Sequence, residues 1–449
     1  MPRQRPQPRR RDPIGWSAPV WFPVVLFLVG FGLLPQAITG DDIARAAALR
    51  QLTDGVMPEY KFSIIQPVVS VPAHWVLREL GFGERAITTI PLLWLAGWSL
   101  VVWRLLSRHR SLRFIRHLIT LSVASLLGAY LIGFGGEVFS ALALTGGLLS
   151  GRLARSEVGR WAGWIVFVIG VANTPALAVA AAAIAVVLTV QQRQLRFLAL
   201  VPVVIAAIVL EASLASGGLT LSKYSDEVER GTVTLLPWGE VVGFGWPLWS
   251  GVLAVLFSFG RGLVFHLPLW VAGPSPPIDE VARVERALWV ATLVLIPLYA
   301  KWWAWYGGVS FGPRFFMLGV VPIAMAAAAA LERTDRSTAR SVVLSIAILL
   351  SAWVAIAGAI FGVTEFAFNT CVDGGSFLLE PLCWYTPEYS GLWMPLWKPG
   401  PIGGRDIVFV VLVVAAVLPT LSAAAAPLWS PARLTFARAV ASLRRPWRL

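Results

Sequence analysis

Apolar runs long enough to span a bilayer, about twenty residues each, recur from Trp21 to Leu428. Inside lipid, every backbone polar group has to be satisfied internally, so only helices and closed barrels cross. Of the 449 residues, 57% are hydrophobic and only 14% are charged, far below the charged share of a soluble domain. The period-2 alternation of an outer-membrane barrel is absent. The sequence therefore predicts an all-α polytopic membrane protein.

The charge distribution predicts which side of the membrane each connection faces. The net charge is +13, and the basic residues cluster in both terminal tails and in short connections between apolar runs. This is the positive-inside pattern of cytoplasmic segments and needs no nucleic-acid partner. The first apolar run is too long for a signal-peptide core and lacks a convincing cleavage site, which indicates an uncleaved anchor. We expect a multi-pass protein of the cytoplasmic membrane, with both termini in the cytoplasm.

The apolar runs predict about twelve transmembrane helices, within a range of ten to thirteen. The predicted spans are 21–38, 86–106, 118–134, 138–151, two short spans within 161–190 that are separated near Asn173-Thr174-Pro175, then 197–216, 257–271, 287–303, 315–331, 342–361 and 407–428. An even number of spans returns both termini to the same side, in agreement with the basic tails.

The first external loop, residues 39–85, is predicted to contain helices that lie along the membrane surface. Apolar residues recur at helical spacing within 42–53, which predicts an interfacial helix. The apolar stretch 62–80 is interrupted by Pro67 and Pro72, which favours a juxtamembrane segment outside the bilayer core. Such helices would cover a site at this surface.

Two adjacent carboxylates, Asp41 and Asp42, directly follow the first span. An ionisable group beside hydrocarbon is costly, so at this depth it is a candidate for function. The alternative is that one of them caps the following helix, where a carboxylate favours the free N–H groups. On the dipeptide alone the two interpretations are equally good.

The candidate phosphate ligands are three basic residues assigned to the same side of the membrane, Arg261, Lys301 and Arg314. Each alone could simply extend toward lipid head groups. Arg314, however, ends a stretch with three glycines and a proline, residues 306–314, which predicts a tight turn rather than an ordinary helix end. An arginine presented by such a turn is suited to bind a phosphate through two parallel hydrogen bonds.

Other polar residues near this surface are candidates for binding the acceptor or for supporting the site. Glu137, in Gly135-Gly136-Glu137, and Asp42 could orient the acceptor or tune Asp41. Lys61, His74 and His266 complete this set, although a lone interfacial histidine is more often simply packed. An excess of aromatic residues fits both a sugar-binding surface and an interfacial belt.

Cys371 and Cys383 are the two cysteines of the chain and share one external loop, 363–406. In an oxidising compartment a disulfide is the natural interpretation, and no metal-site spacing accompanies them.

Three stretches, taken in order, resemble bacterial membrane glycosyltransferases of the C superfamily (GT-C). They are Gly40-Asp41-Asp42, then Ser258-Phe259-Gly260-Arg261-Gly262-Leu263, then Trp305-Tyr306-Gly307-Gly308 continuing to Phe311-Gly312-Pro313-Arg314-Phe315-Phe316. Enzymes of this kind use polyprenyl-phosphate sugars and are related to protein O-mannosyltransferases and to transferases that elaborate cell-wall glycans. The resemblance extends from Trp21 to Ala330.

This resemblance implies a role for the acidic pair. The family's first external loop carries two acidic residues, commonly Asp-Glu, and the first serves as catalytic base; here that residue is Asp41, with Asp42 in the second place. Ser-Phe-Gly stands at 258–260 where Ser-Pro-Gly is more usual, and His266 stands where a tyrosine is common. These departures leave the sugar unspecified.

The limits of the resemblance, together with the charge and hydropathy pattern, suggest a division of the chain. Residues 1–20 form a basic cytoplasmic tail, and 21–330 form a GT-C-like catalytic region. Residues 331–428 form a C-terminal pair of spans with the external cysteine loop, and 429–449 form a second basic tail.

The predicted function is an inverting glycosyltransferase, hexosyl or pentosyl (for example mannosyl or arabinosyl), at the outer face of the cytoplasmic membrane. The donor would be a polyprenyl-phosphate sugar, and the acceptor a glycan, lipid or protein of the cell envelope. The chemistry requires no cofactor, and a divalent metal is left open. The rivals are a twelve-span transporter or lipid-glycan flippase, which would place functional charges near the bilayer midplane, and a non-catalytic scaffold.

Overall fold

The computed structural model describes residues 19–36, 38–58, 62–216, 218, 234–236, 241–308, 310–362, 371, 378–398 and 400–443, with side chains described as far as 428. In chain order the described α-helices are α1 (Trp21–Leu33), α2 (Asp41–Thr53), α3 (Ile65–Glu79), α4 (Arg85–Leu106), α5 (Leu112–Ser122), α6 (Gly136–Leu153), α7 (Glu157–Ala172), α8 (Leu177–Gln192), α9 (Leu200–Ser216), α10 (Leu248–Phe257), α11 (Leu263–His266), α12 (Glu280–Lys301), α13 (Val320–Glu332), α14 (Thr338–Phe361), α15 (Glu380–Tyr385) and α16 (Gly404–Leu443). Shorter helical turns extend or connect several of them, among them Val123–Leu127 after α5 and Arg314–Gly319 before α13.

Five helical stretches of the described part are long and apolar enough to cross a membrane. They are Arg85–Leu106, Leu195–Ser216, Arg314–Glu332, Thr338–Phe361 and Gly404–Leu428. Three further apolar helices, α1, α8 and α10, are shorter. Within the described residues the prediction of a helical fold is confirmed, and these helices fit a multi-pass membrane protein; the count of about twelve spans stays a prediction.

The first span is shorter than predicted. α1 ends at Leu33, and Leu34 adopts an extended conformation with ψ of 152°. Pro35 is the physical reason, because the residue before a proline is pushed out of the helical region.

The predicted span 257–271 is wrong. α10 already ends at Phe257, residues 258–262 form a turn, and α11 has only four residues. Position 260 in this turn requires glycine, because a Cβ there would lie 1.9 Å from the carbonyl oxygen of Cys383. Apolar composition alone did not reveal that the backbone breaks here.

The structure also shows the helices predicted near Asn173 and in the first external loop. The separation of two helices near Asn173 is confirmed, because α7 ends at Ala172 and α8 begins at Leu177. The helix predicted within 42–53 is confirmed as α2, while its position along the membrane surface stays a prediction. The stretch 62–80 also folds into a helix, α3, which contains Pro72.

Close helix packing depends on glycine where α6 meets α7. A Cβ on Gly147 would lie 2.4 Å from the backbone nitrogen of Phe167, and one on Gly163 would lie 2.3 Å from that of Gly151. Small residues let membrane helices approach in this way, because lipid offers no hydrophobic drive to bring them together.

The helices α2 and α3 pack on each other and on the start of α4. Ala46 and Leu49 of α2 are fully buried in a cluster that includes Leu77 of α3, Ile87 of α4 and Phe134. This packing fixes the start of α2, where the two aspartates lie.

Candidate active site

The guanidinium of Arg314 lies between two carboxylates. Its Nη2 donates to Asp41 Oδ2 at 2.7 Å, and its Nη1 lies 3.5 Å from Glu137 Oε1. The side chains of Arg314, Asp41 and Glu137 are 16%, 33% and 13% exposed. Partial burial strengthens such attractions, because less water screens them. The structure thus brings together the predicted base, the predicted phosphate ligand and one predicted supporting residue.

The start of α2 positions the acidic pair. Gly40 occupies the N-cap with φ of 55°, in the left-handed region that favours glycine, and as a glycine it has no side chain to cap the helix. Asp41 and Asp42 instead occupy the first turn, where the helix dipole favours negative charge. Neither aspartate is the N-cap residue, but both lie in the first turn, so a favourable interaction with the free N–H groups of α2 remains the alternative to a catalytic role.

Asp42 faces a different partner from Asp41. Its Oδ2 accepts a hydrogen bond from the backbone N–H of Phe134 at 2.9 Å. Burial raises the pKa of Asp42 to about 7; the bond from Phe134 opposes that shift, and the nearby charge of Glu137 adds to it. Asp42 is thus a carboxyl group that changes charge near neutral pH.

The turn that presents Arg314 has the tight, positive-φ backbone that its three glycines indicate. Gly307, Gly308 and Gly312 have φ of 80°, 70° and 58°. A Cβ on Gly312 would in addition meet His266 Cδ2 at 2.5 Å, whereas one on Gly308 would meet no atom within 4 Å. Gly312 is therefore required for two reasons, conformation and space.

Arg261 supports this turn from within the protein. It is only 5% exposed, its Nη2 donates to the Gly308 carbonyl at 3.1 Å, and its Nη1 lies 3.4 Å from the Gly312 carbonyl. A guanidinium has five donors in a fixed fork, which suits it to hold two carbonyls of one turn. A phosphate contact by Arg261 stays a prediction.

Tyr130 also supports the turn, and sequence reasoning missed it. Its hydroxyl donates to the carbonyl of Phe311. The residue lies within an apolar run, where a tyrosine gives no signal of its own. Its role follows from a contact across 181 positions of the chain.

A buried amide network seats the start of α6, which carries Glu137. Asn173 donates to the Gly136 carbonyl at 3.2 Å and accepts from the backbone N–H of Gln66 at 3.0 Å. Gln66 Nε2 in turn donates to the Phe134 carbonyl, and its Oε1 accepts from Arg45. These contacts connect the first loop to α6 and to the break between α7 and α8.

Glu211, an acidic residue inside the predicted span 197–216, has a structural partner. Its Oε1 accepts the backbone N–H of Ile64 at 2.9 Å, just before α3 begins. The contact pins the first loop against α9.

The remaining predicted site residues lie elsewhere or have other contacts. His74 contacts Thr53 Oγ1 at 2.8 Å, between α3 and α2, and burial lowers its pKa. His266 is fully buried, with Nδ1 2.9 Å from the Gly262 carbonyl. Lys301 ends α12 and has no ion pair among the described residues. Lys61 lies outside the described residues.

The predicted disulfide is confirmed. Cys371 and Cys383 are bonded, with their Cα atoms 6.1 Å apart. Within the residues that the structure describes, no group of three or more His, Cys, Asp or Glu side chains is arranged to hold a metal ion.

The chain is similar to a solved membrane-protein structure. No family model matches the sequence, and no curated protein matches it. The chain is similar to the solved structure of ArnT from Cupriavidus metallidurans bound to undecaprenyl phosphate, with 15% identity and a TM-score of 0.46 over 90% of this chain and 78% of that one.

Proposed function

We propose that this protein is an inverting glycosyltransferase of the GT-C type, which moves a sugar from a polyprenyl-phosphate donor to a cell-envelope acceptor. The observation that carries the proposal is the position of Arg314 between Asp41 and Glu137. Arg314 would bind the phosphate of the donor, and Asp41 beside it would act as the base. Arg314 also begins an apolar helical stretch, where a lipid-linked substrate would arrive.

In the proposed reaction Asp41 takes the proton of an acceptor hydroxyl. The hydroxyl oxygen forms its bond to the anomeric carbon from the face opposite the phosphate, so the configuration inverts. The bond from the anomeric carbon to the phosphate oxygen breaks, and the electron pair leaves with the polyprenyl phosphate. Because charge develops on that oxygen, a guanidinium already in place lowers the barrier.

Arg314 has two roles in this scheme. In the absence of donor its charge is satisfied by Asp41 and Glu137. A bound phosphate would compete for the same donors, loosen the bond to Asp41 and leave that carboxylate available as a base. Lys301 and Arg261 are proposed to assist at the phosphate.

The first loop is proposed to complete the site. Asp42 and Glu137 would orient the acceptor or tune Asp41, and α2 and α3 would exclude water from the reacting atoms. Basic tails on the opposite side would place the site at the outer membrane face.

The test is transfer by purified protein reconstituted in liposomes with a panel of polyprenyl-phosphate sugars and extracted envelope acceptors. Asp41→Asn keeps the size and one hydrogen-bond acceptor of the side chain but removes the base, so transfer should fall about 100-fold or more while donor binding persists. The control is Asp54→Asn, which removes an exposed carboxylate paired with Arg78 on the same loop. Transfer by Asp41→Asn at the parent rate would exclude Asp41 as the base.

A further inference from the structure

The cysteine-loop residues 378–398 contact the turn 258–262 directly. The backbone N–H of Gly260 donates to the Trp384 carbonyl at 2.9 Å, and Trp393 Nε1 donates to the Phe259 carbonyl at 3.1 Å. No side chain fits between them, because a Cβ on Gly260 would overlap the carbonyl of Cys383. These residues therefore fix the turn that carries Arg261.

Arg261 connects the turn 258–262 to the turn that presents Arg314. Its guanidinium donates to the turn 307–314 at Gly308 and lies within reach of Gly312, and that turn presents Arg314. Three segments far apart in sequence thus form a series of direct contacts: residues 378–398, the turn 258–262 and the turn 307–314.

Glu380 is an unusual residue in this series. It is 2% exposed, and neither carboxylate oxygen has a hydrogen bond of normal geometry among the described residues. Tyr306 and Trp384 approach it, and their rings stack on each other with centroids 4.0 Å apart. Burial raises the pKa of Glu380 to about 7, and the charge of Arg261 opposes that shift.

A buried carboxylate without full hydrogen bonds destabilises a fold, so packing does not explain its presence. The opposite charge that offsets it is Arg261, which is also buried and directly follows Gly260, the residue whose N–H bonds to Trp384 in the same helix, α15, as Glu380. Removing either partner would leave the other charge uncompensated in a low-dielectric environment.

We infer that Glu380 is a positioning residue, which holds Arg261 in place so that the turn 307–314 presents Arg314 to the site. The inference gives the C-terminal third of the chain a part in the reaction. It rests on the proposed function where transfer is concerned, but the contacts it describes are independent of that function.

The first experiment needs no enzymatic activity. Hydrogen–deuterium exchange is measured on peptides that cover 258–262 and 307–314 in the purified protein, in the parent and in Glu380→Gln. The variant keeps the size of the side chain and removes its charge, so exchange should rise in 307–314. The control is Glu388→Gln, an exposed carboxylate on the same loop, which should leave both peptides unchanged. Unchanged exchange in Glu380→Gln would overturn the inference even if the proposed function were wrong.

The second experiment separates positioning from a general loss of stability. We expect transfer by Glu380→Gln to fall about tenfold, in line with typical coupling energies between residues of one charged network. In an Arg261→Gln background the same substitution should have little further effect, because Glu380 acts through Arg261. Equal effects of Glu380→Gln in both backgrounds would show that it acts by another route. Absence of transfer in the parent would argue against the proposed function alone.

Discussion

Arg314 Nη2 lies 2.7 Å from Asp41 Oδ2, although 273 positions of sequence separate the two residues. One residue belongs to the first turn of α2 and the other to the turn before α13. Each is held by its own supports: α2 by its packing on α3 and α4, and the turn by Arg261 and Tyr130. The contact therefore joins two independently fixed segments, which is what a preorganised electrostatic site requires.

Replacement of Arg314 should affect both donor binding and turnover. The phosphate is charged in the ground state and gains charge in the transition state, so Arg314→Ala weakens both interactions. Arg314→Lys should recover only part of the loss, because an ammonium cannot contact Asp41 and Glu137 as a planar fork does. The measurement is KM and kcat for the donor, with Arg50→Lys as the control, an exposed residue on α2 that pairs with Glu84. Full activity of Arg314→Lys would contradict the two-point contact.

The turn 307–314 offers a matched pair of glycine substitutions. Gly312→Ala combines an unfavourable positive φ with a clash against His266, whereas Gly308→Ala incurs the conformational strain alone. Strain at such a position costs about 1–3 kcal/mol. We expect Gly312→Ala to lower the unfolding temperature and donor binding more than Gly308→Ala does. Equal effects of the two substitutions would show that His266 moves aside without cost and that the clash adds nothing.

The residues that sequence reasoning found share one property: their signal is local. Adjacent Asp41 and Asp42 after an apolar run stand out in the sequence, as do three glycines before Arg314. The cysteine pair of a single loop is equally visible, and it is bonded.

The residues that sequence reasoning missed act through contacts between distant segments. Tyr130 and Glu380 lie in stretches with no motif, and Asn173 stood out only as a break between two spans; each acquires its role from a turn or helix end brought near by folding. The span 257–271 failed for a related reason. Hydropathy reports composition alone. The helix is interrupted at 258–262, where the backbone of Gly260 packs closely against the cysteine loop, and composition does not record such a contact.

The disulfide should stabilise the contact between the cysteine loop and the turn 258–262. Closing a loop with a sequence separation of 12 is worth about 3 kcal/mol by chain entropy. The double variant Cys371→Ser, Cys383→Ser should therefore increase hydrogen–deuterium exchange in 258–262, because Trp384 follows Cys383 directly and accepts the Gly260 N–H. Exchange in α7, which lies outside this contact, serves as the control. Unchanged exchange in 258–262 would show that helix packing alone holds the turn.

The pKa of Asp42 predicts a pH dependence of stability. The folded protein holds this carboxyl at a pKa of about 7, compared with an ordinary value of 3.8. The folded state therefore binds the proton more tightly than the unfolded chain, and the contribution of Asp42 to stability falls as pH rises through that interval. Above pH 7 the full penalty of a buried charge is present; below about pH 4 it is absent.

Asp42→Asn should remove this penalty, because the amide oxygen still accepts the Phe134 N–H and the side chain no longer ionises. In detergent solution the variant should have a higher unfolding temperature than the parent at pH 8, and the difference should shrink toward zero at pH 4. Other titrating groups affect both proteins alike and cancel in that difference. Asp54→Asn, an exposed site, should show no such trend with pH. A difference that stays constant between pH 4 and pH 8 would show that Asp42 does not titrate near neutrality in the folded protein.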